Sequence, residues 1–233
     1  MNKVCSSVTE AISDVKSGAT IALGGFFTAG SPIWLIRGLA KRGVGNLTIV
    51  VQSVGIGNVE VNELIENNQV VKVIANYPFY RSATKGKQHY FEQQVRKGKI
   101  QVEVYPMGSF VEKMRAGGAG IAGFYTQTGV GTSVEHGKET KIFDGKKYIL
   151  ETALKPDFGF VHAFKGDAEG NLVYRKTARN YNPVMAMTAD VTIAEVENLM
   201  EAGELDPDCV HTPGIYVQRV VKVERLDIMP GID

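Results

Sequence analysis

Residues 47–51 read Leu-Thr-Ile-Val-Val, an unbroken and largely β-branched run. A strand with one wet face alternates apolar and polar residues, so a run without alternation is buried on both faces. Such a strand sits inside a parallel sheet with helices on either side. That requirement constrains the fold more than any other feature of the chain. Runs of similar character recur at 19–23, 70–75, 100–105, 158–164, 171–176, 191–196 and 215–223. Helical patterns alternate with them, which predicts an open, mostly parallel α/β sheet flanked by helices.

The helices are expected at 9–16, with Ser7 or Thr9 as cap and Gly18 beyond; at 32–41, with Ser31 as N-cap and Pro32 in the first helical position; at 59–66; and at 86–97. A further helix begins at Phe110 and is expected to stop after Arg115, at Ala-Gly-Gly-Ala-Gly. The second half is richer in β-structure. Residues 123–139 form a long glycine- and threonine-rich loop, followed by a hairpin around Asp144-Gly145. No linker divides residues 1–233, which read as one domain. Lys+Arg 26 against Asp+Glu 25 gives a net charge of +1, no electrostatic case for nucleic acid or an anionic membrane. Cys5 and Cys209 form no pairing or metal motif, and no apolar run is long enough to span a bilayer. Together these favour a cytoplasmic protein.

The first strand runs into Gly24-Gly25-Phe26-Phe27-Thr28-Ala29-Gly30, then Ser31-Pro32. A strand-to-helix turn lies at the carboxyl edge of a parallel sheet, where ligands bind, and a helix N-terminus suits an anion or an oxygen-rich group. The phosphate-binding lysine of a P-loop is missing, and neither this turn nor 55–60 completes the dinucleotide fingerprint. Two more small-residue loops follow strands: Gln52-Ser53-Val54-Gly55, and Tyr105-Pro106-Met107-Gly108-Ser109. All three loops share one sheet edge and are expected to line one crevice.

Gly-Gly-Phe-Phe-Thr-Ala-Gly-Ser-Pro resembles the GGFxxxGxP signature of family I coenzyme A transferases, in their α-subunit or N-terminal half. The resemblance continues through 115–132, 143–151, 170–197 and 203–221, and is strongest to bacterial 3-oxoacid enzymes of the 3-oxoadipate and acetoacetate type. It implies the open sheet of that family and a transfer of CoA from succinyl-CoA or acetyl-CoA to a 3-oxo acid or related carboxylic acid. A glutamate on a β-subunit carries the covalent intermediate, so this chain supplies no catalytic nucleophile and works in a hetero-oligomer of two α and two β subunits. No permanently bound cofactor or metal is implied; the coenzyme A thioester is a substrate. Gly24 to Gly30, with Ser53, Gly55, Met107 and Gly108, are the expected CoA and substrate contacts.

Two departures from the family pattern bear on the acid. Met107 stands where relatives often carry a glutamine expected near the substrate carboxylate, and Ser53-Val54 where they often carry asparagine; both changes reduce pocket polarity. In the aromatic and cationic segment 76–91, Arg81 either pairs with a distal carboxylate or is a solvated surface arginine. The basic run 175–180 either reaches the CoA phosphates, lies at an interface, or is a solvated strand end. Glu135-His136 reads as surface loop rather than an acid/base pair, and His89, His162 and His211 show no metal-ligand spacing. Trp34 and Leu35 read as core. The competing functions are a self-contained acyl-CoA hydrolase or lyase-like enzyme using Glu135, and a non-catalytic CoA-binding subunit.

Overall fold

The computed structural model describes residues 2–54, 59–79 and 90–225. The first half holds β1 (Val4–Cys5), α1 (Val8–Ala11), β2 (Thr20–Leu23), α2 (Ile33–Arg42), β3 (Leu47–Ser53), α3 (Val59–Glu66), β4 (Val70–Tyr77), α4 (Tyr90–Arg96), β5 (Gln101–Val104) and α5 (Met107–Gly118). The second half holds β6 (Gly123–Thr126), β7 (Thr140–Phe143), β8 (Lys146–Thr152), β9 (Phe158–Asp167), β10 (Leu172–Val173), α6 (Asn182–Thr188), β11 (Val191–Met200) and β12 (Arg219–Lys222).

The main sheet runs β1-β12-β11-β9-β2-β3-β4-β5, every pair parallel, with β10 added antiparallel on β9. Successive strand residues face opposite sides. Ile21, Leu23, Ile49, Val51, Val73, Phe160 and Ile193 pack on one face with α1 to α4. Ala22, Val50, Ile74, Val161 and Ala194 pack on the other, under Phe110 and Met114 of α5 and Met185 of α6. The double burial expected of residues 47–51 is therefore met by two helical layers.

Four local expectations are corrected. Helix α1 ends at Ala11, because the turns after it tighten to i→i−3 bonds and Arg219 donates to the Ala11 carbonyl at 2.7 Å; Ser7 is its cap. Helix α5 starts at Met107 rather than Phe110, directly after Pro106, and runs through Gly117 and Gly118. A Cβ on either glycine would lie 2.2 Å from the Leu154 carbonyl or 2.3 Å from that of Met187, so these glycines permit close packing and do not end the helix. The first four residues of the expected loop 123–139 form β6, which pairs with β8 in a three-stranded antiparallel sheet, β6-β8-β7. The late strand is shorter than 215–223: Gly214–Tyr216 is a 3-10 turn, and only Arg219–Lys222 pairs. The hairpin turn at Asp144-Gly145 stands as expected, with φ +49° and +72°.

The small sheet is tied to α5 by a buried ion pair. The Lys113 ammonium donates to Glu151 at 3.1 Å and to the Thr152 carbonyl at 2.7 Å, and Lys138 meets the other Glu151 oxygen. Lys113 is 4% exposed and Glu151 2%. Breaking a buried pair from one side leaves a charge short of its partner. Lys113→Met is expected to lower stability by about 3 kcal/mol, read from the urea midpoint.

Candidate functional site

The carboxyl ends of β2, β3 and β5 lie along one edge, as parallel pairing demands. The turn after β2 is tightly wound. Gly24 N–H still donates to Phe160 on β9, at 2.9 Å. Phe26 and Ala29 exchange both backbone hydrogen bonds, at 3.0 and 3.1 Å, around Phe27-Thr28. Phe27 takes φ +53°, a left-handed value that costs a bulky residue about 1–3 kcal/mol. Gly25 and Gly30 are left-handed too, at φ +98° and +72°.

Asn182, fully buried at the start of α6, stands behind this turn. Its Oδ1 accepts from the His162 N–H at 3.0 Å, while its Nδ2 donates to the carbonyls of Gly30 at 2.9 Å and Ala178 at 2.8 Å. Next to it, Tyr181 accepts from Asn76 Nδ2 at 2.8 Å and stacks on Phe26, ring centroids 6.3 Å apart.

The N-terminus of α2 is not left free for a ligand. The buried carboxylate of Glu195, on β11, accepts from Leu35 N–H at 2.9 Å and so fills the positive end of the helix. Ser31 does not cap: Pro32 takes the cap position, and Ser31 Oγ is buried without a partner. His162 and Glu195 are paired across β9 and β11 in register. The ring's Nδ1 lies 2.9 Å from Glu195 and its Nε2 3.3 Å from Glu197. Glu197 lies 3.8 Å from Arg175, whose guanidinium stacks 4.4 Å over Phe164.

These groups line a cavity of about 570 Å³ bounded also by Thr28, Gly30, Ser31 and Trp34. Leu35 is core as expected; Trp34 is half-buried against the core, and it also lines this cavity and donates its indole N–H to the Glu224 carbonyl at 2.8 Å. A more open hollow of about 660 Å³ lies at the tip of the turn, between Phe26–Ala29 and Thr177 and Asn180. The basic run 175–180 thus packs beside the glycine turn, where Lys176–Arg179 form a 3-10 turn.

Of the other expected contacts, Ser53 is buried at the end of β3 with its hydroxyl unpartnered. Met107 is 53% exposed in the first turn of α5, and Gly108 follows it in the helix, not in a loop. None of the three lines either of the two cavities above. Gly55, Arg81 and His89 lie outside the described residues. Glu135 accepts from Gly131 N–H at 2.7 Å and pairs with Lys147, which together hold its carboxyl below the usual carboxylate range. Asn182 and Glu195 escaped the sequence reading, which weighed His162 only as a metal ligand, although His162 and Glu195 are polar residues set in otherwise apolar strand runs, a signal in itself.

Burial pulls the His162 ring down, but Glu195 and Glu197 outweigh it and hold its proton above the ordinary value of 6.5. Burial pushes Glu195 up as well, against His162. Both shifts mean that the folded pair binds protons more tightly than the unfolded chain, so stability falls as pH rises. The contribution of His162 is complete below about 6.5 and is lost as pH climbs through its folded value. The urea midpoint is therefore expected to drop above pH 6.5 in the wild type, and His162→Gln to flatten that slope.

A parallel sheet whose carboxyl edge carries a strained, internally bonded glycine turn beside two hollows is the frame of an α/β protein with its open crevice at that edge. The family profile described as Coenzyme A transferase matches residues 5–223. The chain is 45% identical over 227 residues to the A subunit of succinyl-CoA:3-ketoacid coenzyme A transferase from Helicobacter pylori strain J99, covering 97% of this chain and 95% of that one. It is 46% identical over 224 residues to the A subunit of 3-oxoadipate CoA-transferase from Acinetobacter baylyi, covering 96% of each. Its fold matches glutaconate coenzyme A-transferase from Acidaminococcus fermentans with TM-score 0.80 at 22% identity, over 95% of this chain and 76% of that one. This chain belongs to the coenzyme A transferase family. No described helix is long and apolar enough to cross a membrane.

Proposed function

We propose that this chain is the α partner of a heteromeric CoA transferase acting on a 3-oxo acid, with succinyl-CoA or acetyl-CoA as donor. The observation that carries the reading is similarity along nearly the whole chain to two proteins named as the A subunits of such enzymes. In the reaction, a glutamate carboxylate from the β subunit makes the attack on the thioester carbonyl and expels the CoA thiolate, leaving an acyl-glutamyl anhydride. The thiolate then attacks the glutamyl carbonyl and releases the donor acid, giving a glutamyl-CoA thioester. The acceptor acid reverses these two steps. The glycine turn Gly24–Gly30, with Ser53, Gly55, Met107 and Gly108, contributes this chain's side of the CoA and substrate site, in an assembly of two α and two β subunits working in the cytoplasm.

The self-contained alternative needs a free carboxylate in this chain. Glu135 is a poor one, because Gly131 N–H and Lys147 already engage both of its oxygens.

Acyl-CoA exchange, assayed with a panel of 3-oxo acids, short fatty acids and dicarboxylates, tests the proposal. Activity is expected only when the chain is mixed with its β-type partner, and only with a 3-oxo acid or its close relatives. Turnover by the chain alone overturns the reading. Met107→Gln, which adds an amide donor, is expected to lower KM for the acid about tenfold, the worth of one hydrogen bond to a charged group.

A further inference from the structure

The glycine turn is braced by two amides on one short segment, one exposed and one buried. Asn180 Nδ2 donates to the Ala29 carbonyl at 2.9 Å, and Asn182 Nδ2 to the next carbonyl, that of Gly30, also at 2.9 Å. The exchange of bonds between Phe26 and Ala29 shapes the tip of the turn but does not fix its direction relative to the sheet. Direction comes from Asn182, which spans from the Gly30 carbonyl to the His162 N–H of β9. The same strand residue also anchors the far end of the turn, since the His162 side chain holds Glu195, and Glu195 holds the Leu35 N–H of α2. The turn is thus closed into a hydrogen-bonded frame with His162 at its base.

Space as well as bonding places Asn182 there. A Cβ on Gly24 would lie 1.9 Å from its Oδ1, and a Cβ on Gly30 2.7 Å from its Nδ2. Gly24 has no positive φ, so its lack of a side chain answers to Asn182 and not to backbone conformation. Asn182 is 0% exposed and touches no solvent from which a substrate could approach.

We propose that Asn182 is a positioning residue for the transfer reaction, acting through the Gly24–Gly30 backbone and never on substrate. The inference rests on the function proposed above. It follows physically from the planar trans peptide, whose N–H points opposite to its C=O. Asn180 holds the Ala29 carbonyl and so sets the opposite side of that plane, the Gly30 N–H, while Asn182 holds the Gly30 carbonyl in the next plane, so that Gly30 is fixed from both sides. The N–H groups of Gly24, Phe26, Ala29 and Ser31 are spent on bonds to the chain itself; that of Gly30 makes none of those bonds.

The test is a mutant cycle in the complex with the β subunit. Asn182→Ala is expected to lower kcat about 100-fold, the scale of a 1 Å misplacement, with KM for the acyl-CoA within about threefold. Gly24→Ala should reproduce that loss by pushing the amide aside, and the double variant should fall no more than about threefold below either single one. A kcat within about threefold of wild type for Asn182→Ala, or losses that multiply in the double variant, overturns the proposal. If Asn182→Ala does not purify folded, Asn182→Ser, which keeps a polar group in the pocket, takes its place in the cycle.

Hydrogen exchange on the chain alone separates this claim from the assignment of activity. Asn182→Ala, or Asn182→Ser in its place, should speed amide exchange in residues 24–31 by about tenfold or more and leave β4 unchanged. Unchanged exchange at the turn overturns the positioning role even if CoA transfer is found. Faster exchange at the turn, in a complex that transfers no CoA, sustains the mechanical role and sinks the functional reading.

Discussion

Strand β9 is the seam of the molecule. It pairs with β2 on one side and β11 on the other, so a strand from the last third of the chain lies between the N-terminal strands and the C-terminal ones. Phe158 and Phe160 fill one face and Val161 and Ala163 the other. Everything placed at the carboxyl edge depends on this seat. Gly24 leaves the sheet bonded to Phe160, Asn182 reaches the glycine turn by way of the His162 amide, and Glu195 finds the end of α2 because β11 lies in register with β9.

The site follows from a conflict at this edge. The carboxyl ends of β9 and β11 carry polar side chains, His162, Glu195 and Glu197, where the strand interiors carry apolar ones. Burial obliges such polar residues to find partners. Glu195 takes the helix N-terminus, His162 takes two carboxylates, and Asn182 takes the carbonyls of the turn. The hydroxyls of Ser31 and Ser53 and one oxygen each of Gln52 and Asn76 remain without protein partners near the same edge. An edge that satisfies its large charges internally and leaves small neutral groups unpaired is suited to a ligand read by hydrogen bonding.

How far the sequence revealed this depends on which force decides each element. Strands β2, β3, β4, β9 and β11 were legible because burial on both faces leaves few residue types to choose from. The glycines of the turn were legible because close packing at Gly24 and left-handed φ at Gly25 and Gly30 disfavour side chains there. The extent of α5 was not. Gly117 and Gly118 look like a stop signal, whereas their meaning lies in the carbonyls of Leu154 and Met187, distant in sequence and pressed against the helix. The start of α2 was misread for a similar reason: Ser31-Pro32 has the pattern of a cap, but the group that does the capping comes from Glu195, 160 residues away. Local pattern carries local geometry; partners brought in by the sheet order are invisible until the order is known.

The seam also sets a timetable for synthesis. Thr20 and Asp157, bonded where β2 meets β9, are 137 residues apart. At the usual pace of translation, β2 waits on the order of ten seconds for its neighbour to be made. During that interval the apolar edge of Ile21 and Leu23 is an unpaired strand, the kind of surface on which chains mispair. A polypeptide with this sheet order can fold its N-terminal strands early but cannot close them, so its yield in the cell will be governed by how that edge is sheltered while the ribosome is still working.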